Sequence, residues 1–168
     1  MVKTCEIIFQ DEQRLIKFTK PLIDMIRRNC QTMPNLAESG GILIGRENIS
    51  NNNIIIEFAT EPMVKDIQRR TRFIRKDVGH ILFYEKLYKE NNGIYRYIGE
   101  WHTHQENILQ YSFLDKNNWK KIFRKDRNAD MQYHLIAGVE AVRVWKMAKE
   151  QKGDPQLIYS KDWENILS

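Results

Sequence analysis

With 168 residues, 42% of them hydrophobic and 29% charged, the chain can bury about two-thirds of the surface it exposes when unfolded, so one globular domain over residues 1–168 is expected. No apolar run reaches the roughly 20 residues of a membrane helix, residues 1–10 lack the layout of a secretory leader, and Cys5 and Cys30 alone make no disulfide framework. A cytoplasmic setting away from membranes is expected; the net charge of +5 reads as a solvated basic surface, with nucleic-acid binding the lesser reading.

Two short strands are predicted over 5–9 and 15–18, joined by the charged turn Asp11-Glu12-Gln13. Thr19 then caps a helix that begins at Lys20-Pro21, carries Leu22, Ile23 and Ile26 on one face, and stops before Pro34. After Glu38-Ser39-Gly40-Gly41, the apolar run Ile42-Leu43-Ile44 forms a strand, turns through the asparagine-rich segment 48–53, and pairs with a strand over 54–58. A third strand covers 72–74. Asp77 caps a helix with an apolar stripe of Ile81, Leu82, Tyr84, Leu87 and Tyr88, ended by Asn91-Asn92-Gly93. Residues 94–101, rich in β-branched and aromatic side chains, read as a central strand that runs into His102-Thr103-His104. Ser112 begins the next helix, with Trp119, Ile122 and Phe123 on one side and Lys120, Arg124 and Arg127 on the other. A strand pair over 133–137 and 141–147 follows, then a turn at Gly153-Asp154-Pro155, a strand at 157–159 and a short terminal helix. The order of elements specifies a mixed α/β or α+β sheet covered by helices.

Chemistry concentrates at His102 and His104. Residues two apart on a strand point to the same side, roughly 6.6 Å apart along the chain, so both imidazoles can converge on one cation. A hydrolytic zinc site takes three protein ligands and leaves the fourth position to water. Asp115 is the candidate third ligand, since the first turn of a helix favours a charged carboxylate. Glu38, just before Gly-Gly and an apolar strand, is expected to be desolvated, with a raised pKa suited to a general base. The adjacent glycines are expected to let a substrate backbone come close.

Glu38-Ser-Gly-Gly, Gly99-Glu-Trp-His102-Thr-His104 and Ser112-Phe-Leu-Asp115, with seven residues between His104 and Ser112, resemble the signature of the JAB/JAMM (MPN-domain) metalloproteases. The signature has proline where this chain has Gln105, a change that bears on loop rigidity and removes no ligand. Gly99 to His104 and Arg72 to Asp77 place the similarity with small bacterial JAB proteins, including those of CBASS antiphage operons. The resemblance implies a JAB/MPN-like, cytidine-deaminase-like mixed β-sheet flanked by helices. It implies one Zn2+ held by His102, His104 and Asp115, with Glu38 as base and Ser112 as donor to the oxyanion. It also implies a protein substrate: a ubiquitin-like conjugate or a conjugated cGAS-like nucleotidyltransferase, with an activating and conjugating enzyme from the same operon.

Several plainer readings stand beside these. Ser112…Asp115 has the spacing of a helix capping box, so capping and metal binding compete for the Asp115 carboxylate and a metal site has to override its share. His134 reads as a hydrogen-bonded core histidine, His80 as an isolated one, and Trp101, Tyr95 and Tyr97 as packing residues. The basic stretch Lys65 to Lys76 reads as a solvated strand and loop, with a grip on a substrate tail as the lesser reading. Alternative functions are a non-catalytic MPN scaffold and a metal-dependent nuclease. A zinc deaminase lacks support because Pro-Cys-x-x-Cys is absent.

Overall fold

The computed structural model describes residues 5–30, 36–105, 109–151 and 154–167. In chain order, β1 (Ile7–Asp11) and β2 (Arg14–Phe18) form a hairpin, and α1 (Lys20–Arg28) leads to β3 (Gly40–Glu47) and β4 (Ile54–Ala59). A small hairpin, β5 (Ile67–Arg69) and β6 (Arg72–Ile74), precedes α2 (Gly79–Glu90) and β7 (Tyr95–Thr103). Then come α3 (Phe113–Lys125), β8 (Met131–Ala137), β9 (Ala141–Ala148), β10 (Gln156–Asp162) and α4 (Trp163–Leu167). No helix among the described residues is long and apolar enough to cross a membrane.

The main sheet runs β1-β2-β4-β3-β7-β8-β9-β10 and is mixed: β2 pairs with β4, and β7 with β8, in parallel, while the other neighbours are antiparallel. Sheet twist carries its first strand back to its last ones. The Tyr133 hydroxyl on β8 donates to Asp11 on β1, Lys146 Nζ on β9 lies 2.9 Å from Asp11, and Phe9 stacks on Tyr159 of β10 at 5.1 Å between ring centroids. The buried Lys146 charge is thereby matched by a buried carboxylate. Inside this curl, Ile16, Phe18, Leu43 and Trp101 pack against Ile23 and Ile26 of α1, with α4 adding Trp163 and Ile166. On the other face, α3 lays Trp119 over Trp145, Met147 and Ile136. Cys5 and Cys30 are buried and form no disulfide. Burial pushes the Cys30 thiol up to about 12, so it behaves as a small apolar side chain.

Two elements depart from the sequence expectation. The predicted strand over 72–74 exists, but it pairs with β5 outside the main sheet. The expected apolar stripe of α2 is not buried: only His80 is, while Leu82 is 55% and Tyr88 48% exposed. At 100° per residue, Ile81, Leu82, Phe83 and Tyr84 point nearly all round the helix, so no single face can shelter them. What anchors α2 is polar. His80 Nδ1 lies 2.5 Å from Thr60 Oγ1 and its Nε2 2.6 Å from Asp66 Oδ2. Asp77 does accept from the Gly79 N–H, one residue short of the N-cap position, which is Val78.

Candidate metal centre

β7 alternates its side chains, so Trp101 enters the core while Glu100 and His102 face the other way. His104 follows at the strand's end, its N–H donating to Ala137 O at 3.0 Å. Opposite, Gly40 pairs with His102, and continuing that register sets Glu38 level with His104. Two hydrogen bonds fix this crossing: Ser39 N–H donates to Thr103 Oγ1, and Thr103 N–H donates to Ser39 O, both at 2.9 Å. Asp115 arrives from the first turn of α3, whose long axis is pinned by Trp119 stacked on His134 at 4.7 Å.

The three candidate ligands converge. His102 Nε2 and His104 Nε2 lie 2.9 Å apart, and Asp115 oxygens lie 3.3 Å from the first and 3.4 Å from the second. Tetrahedral zinc with bonds of about 2.1 Å needs ligand atoms about 3.4 Å from one another; the two contacts to Asp115, one to each oxygen, match this, and the two imidazole nitrogens stand closer. Across their 2.9 Å contact one neutral imidazole can donate its Nε2–H to the other, or both nitrogens can turn lone pairs to a shared cation. Burial alone depresses the His102 pKa, but the charge and hydrogen bond of Asp115, with Glu38 and Glu100 behind it, outweigh burial and raise it. Burial likewise pushes the Asp115 carboxyl up, and is outweighed by His102, His104 and the Ser112 N–H, which leave it far below the usual range. The pocket thus favours a positive charge at the triangle's centre.

The expected capping box at Ser112 and Asp115 is present, and the same carboxylate faces both imidazoles. Ser112 N–H donates to Asp115 Oδ2 at 2.7 Å and Ser112 Oγ accepts from the Asp115 N–H at 3.1 Å, a complete capping box. The carboxylate has lone pairs enough to face both imidazoles as well. Because Ser112 Oγ accepts from the helix, its own O–H proton is left to donate into the cavity it lines.

That cavity, of about 390 Å3, brings together Glu38, His104, Ser112 and Asp115 under the β5–β6 hairpin. Glu38 is 6% exposed, as its position before β3 implied. The glycines beside it are required by the protein's own packing. A Cβ on Gly41 would stand 2.0 Å from Thr60 O, and one on Gly40 would stand 2.5 Å from the Phe73 ring. The hairpin is fastened here: Glu38 N–H donates to Arg69 O at 2.8 Å and Gln68 Nε2 to Glu38 O at 3.2 Å. Gln105 adds a clasp, its amide donating to Arg70 O and accepting from Arg70 Nε at 3.3 Å. The side chain standing in proline's place therefore holds this segment by hydrogen bonds; residues 106–108 lie outside the described ones.

Sequence reasoning missed Glu100, Arg75 and Asn118, which line the same cavity. Glu100 carried a readable signal, since it shares strand parity with His102. As expected, His134 is a core residue, its Nδ1 accepting from the Glu100 N–H at 3.1 Å. Most of the basic stretch is solvated, Arg69, Arg70 and Arg72 being exposed, but Arg75 is turned inward.

Residues 19–150 match the profile of the family described as prokaryotic homologs of the JAB domain. The chain belongs to this family. A Pseudomonas aeruginosa protein named CD-NTase/cGAS isopeptidase is 30% identical over 134 residues, covering 80% of this chain and 84% of its own. Proteins of the same name from Escherichia coli and Vibrio cholerae are 31% and 27% identical over 115 and 129 residues, covering 68% and 76% of this chain and 72% and 81% of their own. A solution structure of a Desulfitobacterium hafniense protein, 19% identical, superposes with a TM-score of 0.54 over 84% of this chain and 88% of that one, a likeness of fold.

Proposed function

We propose that this JAB-domain protein is a zinc-dependent isopeptidase that hydrolyses a ubiquitin-like linkage, from a C-terminal glycine to a lysine or peptide nitrogen. One observation carries the reading: ligand atoms of His102, His104 and Asp115 lie within 4.8 Å of one another, and His104 and Asp115 line a cavity that Glu38 also lines. The names of the bacterial relatives supply the substrate class, a conjugated CD-NTase or cGAS-like nucleotidyltransferase. The conjugate is made by an activating and conjugating enzyme encoded beside it, in cytoplasmic antiphage defence, and residues 1–168 act as one metalloprotease domain.

His102, His104 and Asp115 would hold the ion, which when bound would supply Lewis acidity to the scissile carbonyl and acidify water. Glu38, buried and uncoordinated, takes the water proton and returns it to the departing amine. Ser112 O–H donates to the carbonyl oxygen as negative charge develops, a contact worth about 3 kcal/mol in the transition state. The β5–β6 hairpin, fastened to the backbone of Glu38, limits water around the scissile bond.

The test uses metal-loaded protein and a nucleotidyltransferase conjugated through its C terminus. Two clean products are expected, lost on chelation and restored by zinc. Glu38→Gln is expected to retain the metal and lose about a thousandfold in turnover. An intact conjugate with the metal-loaded wild type, or normal turnover in Glu38→Gln, overturns the reading.

A further inference from the structure

The cavity contains a second buried carboxylate. Glu100 is 8% exposed and faces the same side of β7 as His102, two residues on. Both of its oxygens are engaged: Oε1 accepts from Arg75 Nε at 2.7 Å, and Oε2 accepts from Asn118 Nδ2 at 3.2 Å. A group bound at both ends is poorly placed to shuttle protons, but well placed to hold its partners.

Those partners belong to the two elements that complete the site. Asn118 lies three residues beyond Asp115 on α3, hence on nearly the same face of the helix. Arg75 is the residue after β6, where the hairpin leaves the cavity. Glu100 therefore ties the strand bearing the imidazoles to the helix bearing the carboxylate, and to the hairpin above them.

We infer that Glu100 is a positioning residue: through Asn118 it sets the registry of α3 against β7, and through Arg75 it seats the hairpin on the cavity. The inference rests on the metal-centre reading above for what that registry serves. The physical need is plain. The other fastenings of α3 are the aromatic stack of Trp119 on His134 and Trp145, which resists separation more than sliding, and ion pairs of Lys116 and Lys120 with the exposed Asp154, which solvent weakens. Metal ligation tolerates only about 0.2 Å in each bond, so a directional tether near Asp115 is required. The ion pair is strong enough for the task. Burial lowers the Arg75 pKa, but the charge and hydrogen bond of Glu100 more than reverse this, so the guanidinium keeps its charge indoors.

The two arms separate by measurement. In full-length protein, Asn118→Ala, a change at an exposed position, is expected to weaken zinc binding about tenfold or more in chelator competition, and to alter the visible absorption of the Co2+-substituted protein. The melting temperature of the metal-free protein should stay within a few degrees. Arg75→Met is expected to leave metal affinity in place, speed amide exchange in residues 67–74, and raise KM more than it lowers kcat; Arg75→Lys recovers most of this. Glu100→Gln should show both defects. Unchanged zinc affinity and Co2+ spectrum in both Asn118→Ala and Glu100→Gln, beside a wild type that binds metal, overturn the inference. A wild type that binds no metal removes the metal-centre reading and this inference with it. A wild type that binds metal but cleaves no conjugate sinks only the proposed function.

Discussion

Two buried clusters in this protein set histidine against carboxylate, and they are built to opposite ends. At Thr60–His80–Asp66, both ring nitrogens of His80 have protein partners, at 2.5 and 2.6 Å, and the ring is 0% exposed. Asp66 is satisfied in turn: burial raises its pKa, but N–H groups of Asp77, Met63 and Lys76 and the His80 ring hold it below the ordinary value. At His102–His104–Asp115 the ring nitrogens point at each other across 2.9 Å and the group borders a cavity. A histidine–carboxylate contact is therefore not a metal site in itself. What distinguishes the second cluster is that ligand atoms of three groups converge within 4.8 Å of one another at the edge of a cavity.

Substitution separates the two clusters most sharply. His104→Ala is expected to weaken zinc binding by more than about 100-fold, since even the loss of an outer partner costs 10- to 100-fold, while metal-free melting changes little. Chelator competition and a thermal scan of the stripped protein read the two effects. His80→Ala is expected to reverse the pattern. It removes one buried partner each from the Asp66 carboxylate and the Thr60 hydroxyl and leaves a cavity, costing about 3 kcal/mol of stability in urea unfolding, with zinc affinity kept in the folded fraction.

His134 gives a smaller, graded effect. Burial, helped by the His102 charge, pulls its pKa from 6.5 down to about 3. Below pH 6.5 the unfolded chain takes up a proton that the folded ring refuses, so stability is full above pH 6.5 and is lost as pH falls toward 3. The slope is about 1.4 kcal/mol per pH unit from this residue. His134→Gln, which keeps an acceptor for the Glu100 N–H, should flatten that part of the metal-free protein's stability–pH curve. An unchanged slope would show that His134 is protonated within the fold.

The His102–His104–Asp115 cluster was legible in the sequence because its signals are local: two histidines of one strand parity, a first-turn aspartate, and a glutamate ahead of a strand. The mixed sheet and most helices were legible from periodicity. The saturated cluster was not, because Thr60, Asp66 and His80 come together only through tertiary packing. Glu100 shares strand parity with His102, but its meaning depends on Arg75 and Asn118, 25 and 18 residues away. Strand β5, Ile67-Gln68-Arg69, has one apolar residue and gives no alternation to read. For α2 the apolar residues were visible, but a stripe was inferred where they surround the axis.

The central claim is most directly tested by diffraction from zinc-soaked crystals, collected above and below the zinc absorption edge. The expected result is one anomalous peak per chain, about 2.0–2.2 Å from His102 Nε2, His104 Nε2 and an Asp115 oxygen, with Glu38 outside bonding distance. A peak centred elsewhere, no peak at the triangle, or Glu38 as a direct ligand contradicts it.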